Sequence, residues 1–135
     1  MTALACGARV TATDHYAAAL DFARYNARAN LGREPETRLL DWHAPGVEGL
    51  GPFDLVLVAD VLYERRNVPA LAALIPTLLA PGGEILLADP RRKDTPEFLE
   101  RMREQGFYSA MEECFVRADG RKVTILMHRL RRCCP

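Results

Sequence analysis

The sequence predicts an α/β fold in which a mostly parallel sheet ends in an antiparallel hairpin. Strand-like and helix-like segments alternate along most of the chain, as they do in parallel α/β sheets. One segment, FDLVLVA at residues 53–59, is an almost continuous apolar run, which is typical of a strand covered on both faces in the middle of such a sheet. Near the end, Asp119-Gly120 separates two strand-like segments, and Asp-Gly is a strong hairpin signal.

Six segments rich in β-branched or apolar residues are predicted as strands, and three periodic segments as helices. The strands are residues 8–13, 37–40, 53–59, 84–88, 108–116 and 122–129. The helices are residues 16–29, 69–79 and 95–105. In the first helix, apolar residues recur at three and four positions from Ala19 to Ala27, so one face is expected to be buried. Asn67 is predicted to cap the second helix, Pro76 to kink or shorten it, and Pro81-Gly82-Gly83 to stop it.

Length and composition predict a single domain over residues 1–135. A chain of 135 residues is close to the commonest domain length. Its residues are 49% apolar and 27% charged, so the chain can bury a core. The 18 basic and 18 acidic residues give no net charge, which argues against nonspecific binding to nucleic acid.

The sequence also predicts where the protein works. No apolar run approaches the roughly 20 residues that cross a bilayer, and the start, MTALACGARV, lacks the pattern of a secretory signal. We therefore expect a cytoplasmic protein with no membrane partner and with reduced cysteines. The cysteines show no C-x-x-C spacing, which predicts that there is no metal site. Cys133 and Cys134 are expected on a frayed tail.

Four predicted strands end on an acidic residue: Asp14, Asp41, Asp60 and Asp89. In open α/β sheets, ligands bind outside the carboxyl ends of the strands, so four acids along one sheet edge indicate a binding site. Acids are also good turn formers and helix caps, and this structural role is the alternative for each residue taken alone.

Asp14 and Trp42 are candidates for holding a nucleotide. An acid after a strand and before a helix, as at Asp14, accepts hydrogen bonds from both ribose hydroxyls in nucleotide-binding α/β folds. Trp42 is the only tryptophan and follows a strand, where its flat ring can pack on a purine. The alternative for Trp42 is an ordinary core tryptophan.

Asp60 and Tyr63 are candidates for a second site. They follow the most apolar strand and lie three residues apart, so in a turn or a first helical turn both side chains face the same way. That arrangement places a carboxylate and a phenol beside one pocket.

These residues, taken together, resemble a known family. The chain is similar to the class I, seven-β-strand S-adenosylmethionine-dependent methyltransferases, and most similar to the protein-lysine methyltransferases marked by a D-x-x-Y motif. The motif residues are Asp60 and Tyr63. The other matching stretches are VTATD (10–14), ALDFARYNARAN (19–30), LLDW (39–42), FDLVLVADVLYE (53–64) and LLAPGGEILLADP (78–90).

The resemblance implies a Rossmann-like fold, S-adenosyl-L-methionine as cofactor and a methyl acceptor that is a protein lysine or a small amine. It implies that Asp14 binds the cofactor ribose, that Asp41 and Trp42 border the adenine, and that Ala59 contributes backbone at the cofactor's edge. Asp60 and Tyr63 would face the methyl acceptor.

One departure from the family is large. Members begin with a strand and a glycine-rich loop that holds the methionine part of the cofactor, whereas only nine residues precede Val10 here. Residues 6–8 resemble instead the end of the helix that follows that loop. We therefore expect an amino-terminally shortened member without the first strand. The two strands that flank the missing strand would then pair directly with each other, or another chain would fill the gap between them by self-association. The third possibility is that the stability of the protein would be marginal.

Two other functions fit the same sequence. One is a non-catalytic remnant of the fold, acting at most as an interaction module. The other is a nicotinamide-dependent dehydrogenase domain, which shares the acid after the second strand but also requires a G-x-G-x-x-G loop and does not predict the terminal hairpin.

Overall fold

The computed structural model describes residues 1–118 and 120–132, and the chain is organised in two compact units. The first unit is Met1–Val47, and the second begins at Glu48. No helix within the described ranges is long and apolar enough to span a membrane. The single domain expected over residues 1–135 stays a prediction.

The first unit joins two parallel strands through a helix. Its elements are α1 (Thr2–Ala5), β1 (Thr11–Asp14), α2 (Ala17–Leu31) and β2 (Glu36–Leu39). β1 pairs with β2 in parallel, with Thr11 opposite Glu36 and Asp14 opposite Leu39. The carboxyl ends of both strands therefore lie at the same edge of this small sheet.

The helix α2 packs one face on the two strands and leaves another apolar face exposed. Leu20 and Ala27 are buried, which confirms the face predicted from the apolar spacing. Phe22 and Tyr25, three residues apart, are 69% and 70% exposed. The helix ends at Gly32, whose φ of 67° is a left-handed conformation that glycine adopts without steric cost.

The second unit is a four-stranded mixed sheet with two α-helices. Its elements are β3 (Phe53–Ala59), α3 (Asn67–Leu74), a 3₁₀ helix (Ile75–Leu78), β4 (Leu79–Asp89), α4 (Thr95–Glu104), β5 (Phe107–Ala118) and β6 (Arg121–Arg132). The strand order is β3-β4-β6-β5, with β3 and β4 parallel and β6 antiparallel to both of its neighbours. The α/β class and the terminal hairpin are thus confirmed. Asp119 of the turn lies outside the described residues, as do Cys133 and Cys134.

The region around Pro76 differs from the single helix predicted over residues 69–79. The α-helix ends at Leu74 and passes into a 3₁₀ turn that contains Pro76, so the early end predicted from this proline is confirmed. Pro81-Gly82-Gly83 do not stop the helix, because they already belong to β4. A Cβ on Gly83 would lie 2.9 Å from the carbonyl oxygen of Phe53, so the close approach of β3 requires glycine there.

The strand β3 is an edge strand, and the prediction that both of its faces are covered is wrong. Among the residues described it pairs only with β4, and β1 and β3 belong to separate sheets. Leu55 and Leu57 are 39% and 56% exposed, whereas Val58 on the opposite face is buried. An apolar run reports which side chains a strand carries and not how many neighbours it has. Residues 1–10 contain α1 and no strand.

His128 is a buried titratable side chain in the second sheet. It lies on β6, is 6% exposed, and its Nδ1 is 3.2 Å from the hydroxyl of Ser109. Its Nε2 has no hydrogen-bond partner within the described part of the chain. Burial lowers the pKa of His128, and the carboxylate of Asp89 opposes that shift. The ring is therefore neutral in the folded protein near neutral pH.

The unpaired edge of β3 generates a prediction about self-association. An open edge is a template for a strand of another chain. We expect the urea midpoint of unfolding to rise with protein concentration, because association stabilises the folded state by mass action. Equilibrium unfolding followed by circular dichroism at several protein concentrations measures this.

Two lysine variants sharpen that experiment. Leu57→Lys puts a charge on the exposed face of β3 and should abolish the concentration dependence. Val116→Lys puts the same charge on an exposed position of β5, at the other edge of the sheet, and should leave the dependence in place. A midpoint of the unchanged protein that is independent of concentration contradicts self-association through β3.

The buried ring of His128 generates a prediction about pH. Because its pKa is lower in the folded state, the unfolded chain binds the proton more readily, and stability is lost as the pH falls below about 6.5. Urea unfolding of His128→Gln should show a smaller loss between pH 7 and pH 5 than the unchanged protein. His15→Gln, which alters an exposed ring, is the control. Equal pH dependence in His128→Gln and the unchanged protein contradicts the prediction.

Candidate functional site

The first unit brings two of the predicted acids to one sheet edge. Asp14 ends β1, and its carbonyl oxygen accepts a hydrogen bond of 2.9 Å from the backbone N–H of Leu40, next to Asp41. The parallel register of β1 and β2, with Asp14 opposite Leu39, therefore leaves both Asp14 and Asp41 at the carboxyl edge of this sheet. This is the edge at which open α/β sheets bind their ligands.

Each of these carboxylates is oriented by the backbone that follows it. Oδ1 of Asp14 accepts the N–H of Tyr16 at 2.9 Å, and Oδ1 of Asp41 accepts the N–H of His43 at 2.9 Å. Such contacts are the local turns that aspartate favours, so the structural role weighed for these acids is present. Oδ2 of Asp14 receives no hydrogen bond from the described residues, and this side chain is 39% exposed.

This edge fits the nucleoside part of the cofactor that the resemblance implies. Asp14 offers a fixed, accessible carboxylate oxygen for a ribose hydroxyl. Trp42, two residues beyond Leu40, is half-buried and not a fully covered core side chain. The segment before β1 fits the methionine part poorly, since Gly7 is the only glycine in residues 1–10.

The second unit positions Asp60 at the carboxyl end of β3. The last pair of the β3–β4 ladder is Ala59 opposite Ala88, and the N–H of Asp60 donates to the carbonyl of Ala88 at 3.0 Å. Asp60 has a φ of 50°, a left-handed backbone that aspartate tolerates better than most residues. The chain turns sharply here, which carries the carboxylate out of the line of the strand.

Arg92 binds this carboxylate through both of its oxygens. Its Nε donates to Oδ1 of Asp60 at 2.7 Å, and its Nη2 donates to Oδ2 at 2.8 Å. The side chain of Arg92 is 42% exposed and that of Asp60 is 49% exposed, so the pair is accessible to solvent. The hydrogen bonds from Arg92 hold the pKa of Asp60 below its usual range, so the carboxylate is ionised at neutral pH.

The loop between β3 and α3 carries Tyr63 in an irregular segment. Residues 63–66 form bends and turns, so of the two arrangements predicted for Asp60 and Tyr63 the structure has a turn and not a first helical turn. Tyr63 is 51% exposed. Asn67 is buried at the start of α3, and its Nδ2 donates to the carbonyl of Val61 at 3.1 Å, so it anchors the loop instead of capping the helix.

The four strand-end acids thus fall into two pairs. Asp14 and Asp41 end the strands of the first sheet, and Asp60 and Asp89 end the parallel strands of the second. Asp89 is only 2% exposed, and its Oδ1 accepts the N–H of Arg92 at 2.9 Å, so it shapes the following turn, while its Oδ2 is buried without a hydrogen-bond partner among the described residues.

Two residues of this region are missed by sequence reasoning. Arg92 lies in the cluster Arg91-Arg92-Lys93, which has the composition of a solvated surface. The available signal was its place just beyond β4, the parallel neighbour of the strand that ends on Asp60. Asn67 is predicted as a helix cap, but its hydrogen bond to Val61, six residues earlier in the chain, depends on the path of the loop.

Comparison with known proteins identifies the family of this chain. A family described as "Lysine methyltransferase" matches residues 1–105. The Protein N-lysine methyltransferase METTL21A of Xenopus tropicalis is 31% identical over 102 residues, which is 72% of this chain and 46% of that protein. The chain thus spans less than half the length of this relative.

Solved structures share the fold at low identity. The N-methyltransferase NodS of Bradyrhizobium japonicum WM9, in complex with S-adenosyl-L-homocysteine, matches with a TM-score of 0.69 at 18% identity, over 92% of this chain and 66% of that one. The magnesium protoporphyrin IX methyltransferase of Synechocystis PCC 6803, with bound SAM, matches with a TM-score of 0.69 at 19% identity, over 96% of this chain and 62% of that one. The family match extends over most of the length of this chain, and the chain therefore belongs to the lysine methyltransferase family.

Proposed function

We propose that this protein transfers a methyl group from S-adenosyl-L-methionine to the amine of a protein lysine. The observation that carries the proposal is the pair of strand-end sites, each with an accessible, oriented carboxylate. Asp14 is oriented by the N–H of Tyr16, and Asp60 is oriented by Arg92. Family membership supplies the reaction class, and separate tasks for the two carboxylates are part of the proposal.

In this proposal, the first unit holds the nucleoside part of the cofactor. Asp14 accepts hydrogen bonds from the ribose hydroxyls, while Asp41 and Trp42 border the adenine. The resemblance also assigns backbone at the cofactor's edge to Ala59, which is exposed at the end of β3 in the second unit. When bound, S-adenosyl-L-methionine supplies an electrophilic methyl carbon for in-line displacement, and the protein contributes chiefly by positioning the reactants.

The acceptor side must receive an amine without its proton. A lysine side chain has a reference pKa near 10.4, so deprotonation at pH 7 costs about 4–5 kcal/mol. A carboxylate favours the ammonium form, so Asp60 orients the acceptor and does not act as its base. Tyr63, half-exposed in the adjoining loop, holds the amine through its hydroxyl or its ring face.

A second candidate is a non-catalytic remnant that serves as an interaction module. The observation that favours it is that residues 1–10 form α1 and contain a single glycine, so these residues offer no glycine-rich loop for the methionine part of the cofactor. Calorimetric titration separates the two functions. Heat of binding with S-adenosyl-L-methionine supports the enzyme, and no heat at millimolar cofactor supports the remnant.

Removal of each of the two carboxylates is expected to affect a different property of the enzyme. Asp60→Ala should lower turnover more than cofactor affinity, because Asp60 faces the acceptor. Asp14→Ala should weaken cofactor binding more than it lowers turnover at saturating cofactor, because Asp14 holds the ribose. Calorimetry measures the affinity, and transfer of a radiolabelled methyl group to a lysine-containing polypeptide measures the turnover.

Asp21→Ala is the matched control for both variants. It removes an exposed carboxylate whose ion-pair partner among the described residues is Arg24 on α2, so both measurements should stay unchanged. Equal losses of affinity and turnover in Asp14→Ala and Asp60→Ala would count against separate roles.

A further inference from the structure

The acceptor-side carboxylate has a partner that the D-x-x-Y motif does not include. Arg92 donates to both oxygens of Asp60, at 2.7 and 2.8 Å, in the bidentate geometry that fits a guanidinium to a carboxylate. With both oxygens bound to a cation, the pair carries no net charge. Any amine that approaches Asp60 meets a neutral ion pair and not an isolated anion.

The backbone of Arg92 is held from both sides. Its N–H donates to the buried carboxylate of Asp89 at 2.9 Å, and its carbonyl accepts the N–H of Thr95, the first residue of α4, at 3.2 Å. Exposed ion pairs ordinarily contribute little to stability, because two long side chains must be ordered. Anchoring the backbone on β4 and α4 reduces that cost, so the guanidinium is held against Asp60.

Three other arginines of this region pair with carboxylates other than Asp60. Arg91 pairs with Glu113 of β5 at 2.9 Å, and Arg65 pairs with Glu97 of α4 at 3.2 Å. Arg66 pairs with Glu64 in the loop that carries Tyr63. Within the part of the chain that is described, Arg92 is the cation that pairs with Asp60, and Asp89 is the other carboxylate that acts on Arg92.

A neutral pair at this place has a chemical consequence. An unpaired carboxylate within about 4–6 Å of an amine favours the ammonium form by roughly 1–3 pKa units. The ammonium nitrogen has no lone pair and cannot accept a methyl group. A pair without net charge keeps the orienting oxygens of the carboxylate while removing most of this penalty.

We propose that Arg92 is a positioning residue that neutralises Asp60, so that the acceptor site receives the uncharged amine and does not trap the ammonium ion. The inference rests on the proposed methyl transfer to an amine. It adds a residue outside the motif and assigns it an electrostatic task carried out through Asp60.

Binding of a simple ammonium ion tests this without catalysis. Nuclear magnetic resonance titration with n-butylammonium at pH 7 should give weak shifts at Asp60 and Tyr63 in the unchanged protein. Arg92→Met leaves the carboxylate unpaired and should bind n-butylammonium about tenfold more tightly or better. Arg92→Lys keeps the charge without the planar fork and should resemble the unchanged protein. Equal binding by the unchanged protein and Arg92→Met overturns the inference.

A titration of the carboxyl group provides the second readout. The pKa of Asp60 should rise toward its ordinary value of about 3.9 in Arg92→Met, because the hydrogen bonds that lower it are gone. Arg91→Met is the matched control, since Arg91 is the neighbouring arginine but pairs with Glu113. It should leave both the titration of Asp60 and the binding of n-butylammonium unchanged. An Asp60 titration that is the same in Arg92→Met as in the unchanged protein overturns the inference.

Activity separates this inference from the proposed function. With S-adenosyl-L-methionine and poly-L-lysine, the alkaline rise of kcat/KM should move to higher pH by about 1–3 units in Arg92→Met and return in Arg92→Lys. If Arg92 had a purely structural role, Arg92→Met would lower the rate at every pH without shifting the pH profile. That result would contradict the inference. If the unchanged protein transfers no methyl group while Arg92→Met binds n-butylammonium more tightly, the methyltransferase proposal fails and the charge neutralisation stands.

Discussion

The parallel pairing of β3 with β4 determines where every group on the acceptor side lies. Its register sets Ala59 opposite Ala88, so the residues after them, Asp60 and Asp89, leave the sheet at the same edge. Asp89 turns inward and holds the backbone of Arg92, while Asp60 turns outward and meets the guanidinium of Arg92. A shift of one residue in this register would turn each side chain to the opposite face of the sheet, and Asp60, Asp89 and Arg92 would no longer lie together.

The fold was largely predictable because its signals are local. The bounds of β3 match the apolar run, and the terminal hairpin follows from two long strand-like segments. Sheet order is a long-range property and was not predictable in the same way. The run Phe53–Ala59 carries the side chains of a central strand but lies at an edge, with Leu57 56% exposed.

The residues of the candidate site also differ in whether local sequence predicts them. Asp14, Asp41 and Asp60 were predictable because an acid after a strand has a known place in an α/β sheet. Arg92 and Asn67 were not, since their partners lie 32 and six positions away in the chain and depend on how the loops after β3 and β4 turn. Asp89 illustrates the reverse case: the pattern marked it as a candidate, and burial assigns it to the turn.

The left-handed backbone at Asp60 limits how this position can vary through evolution. With φ at 50°, the site disfavours β-branched and bulky residues for steric reasons alone, independently of any charge. Asparagine and glycine are the replacements that the main chain accepts most readily. A homologue that has lost the activity is therefore expected to carry asparagine or glycine at this position before any other residue. The residue found here in related sequences thus distinguishes homologues under relaxed selection from those that keep the function.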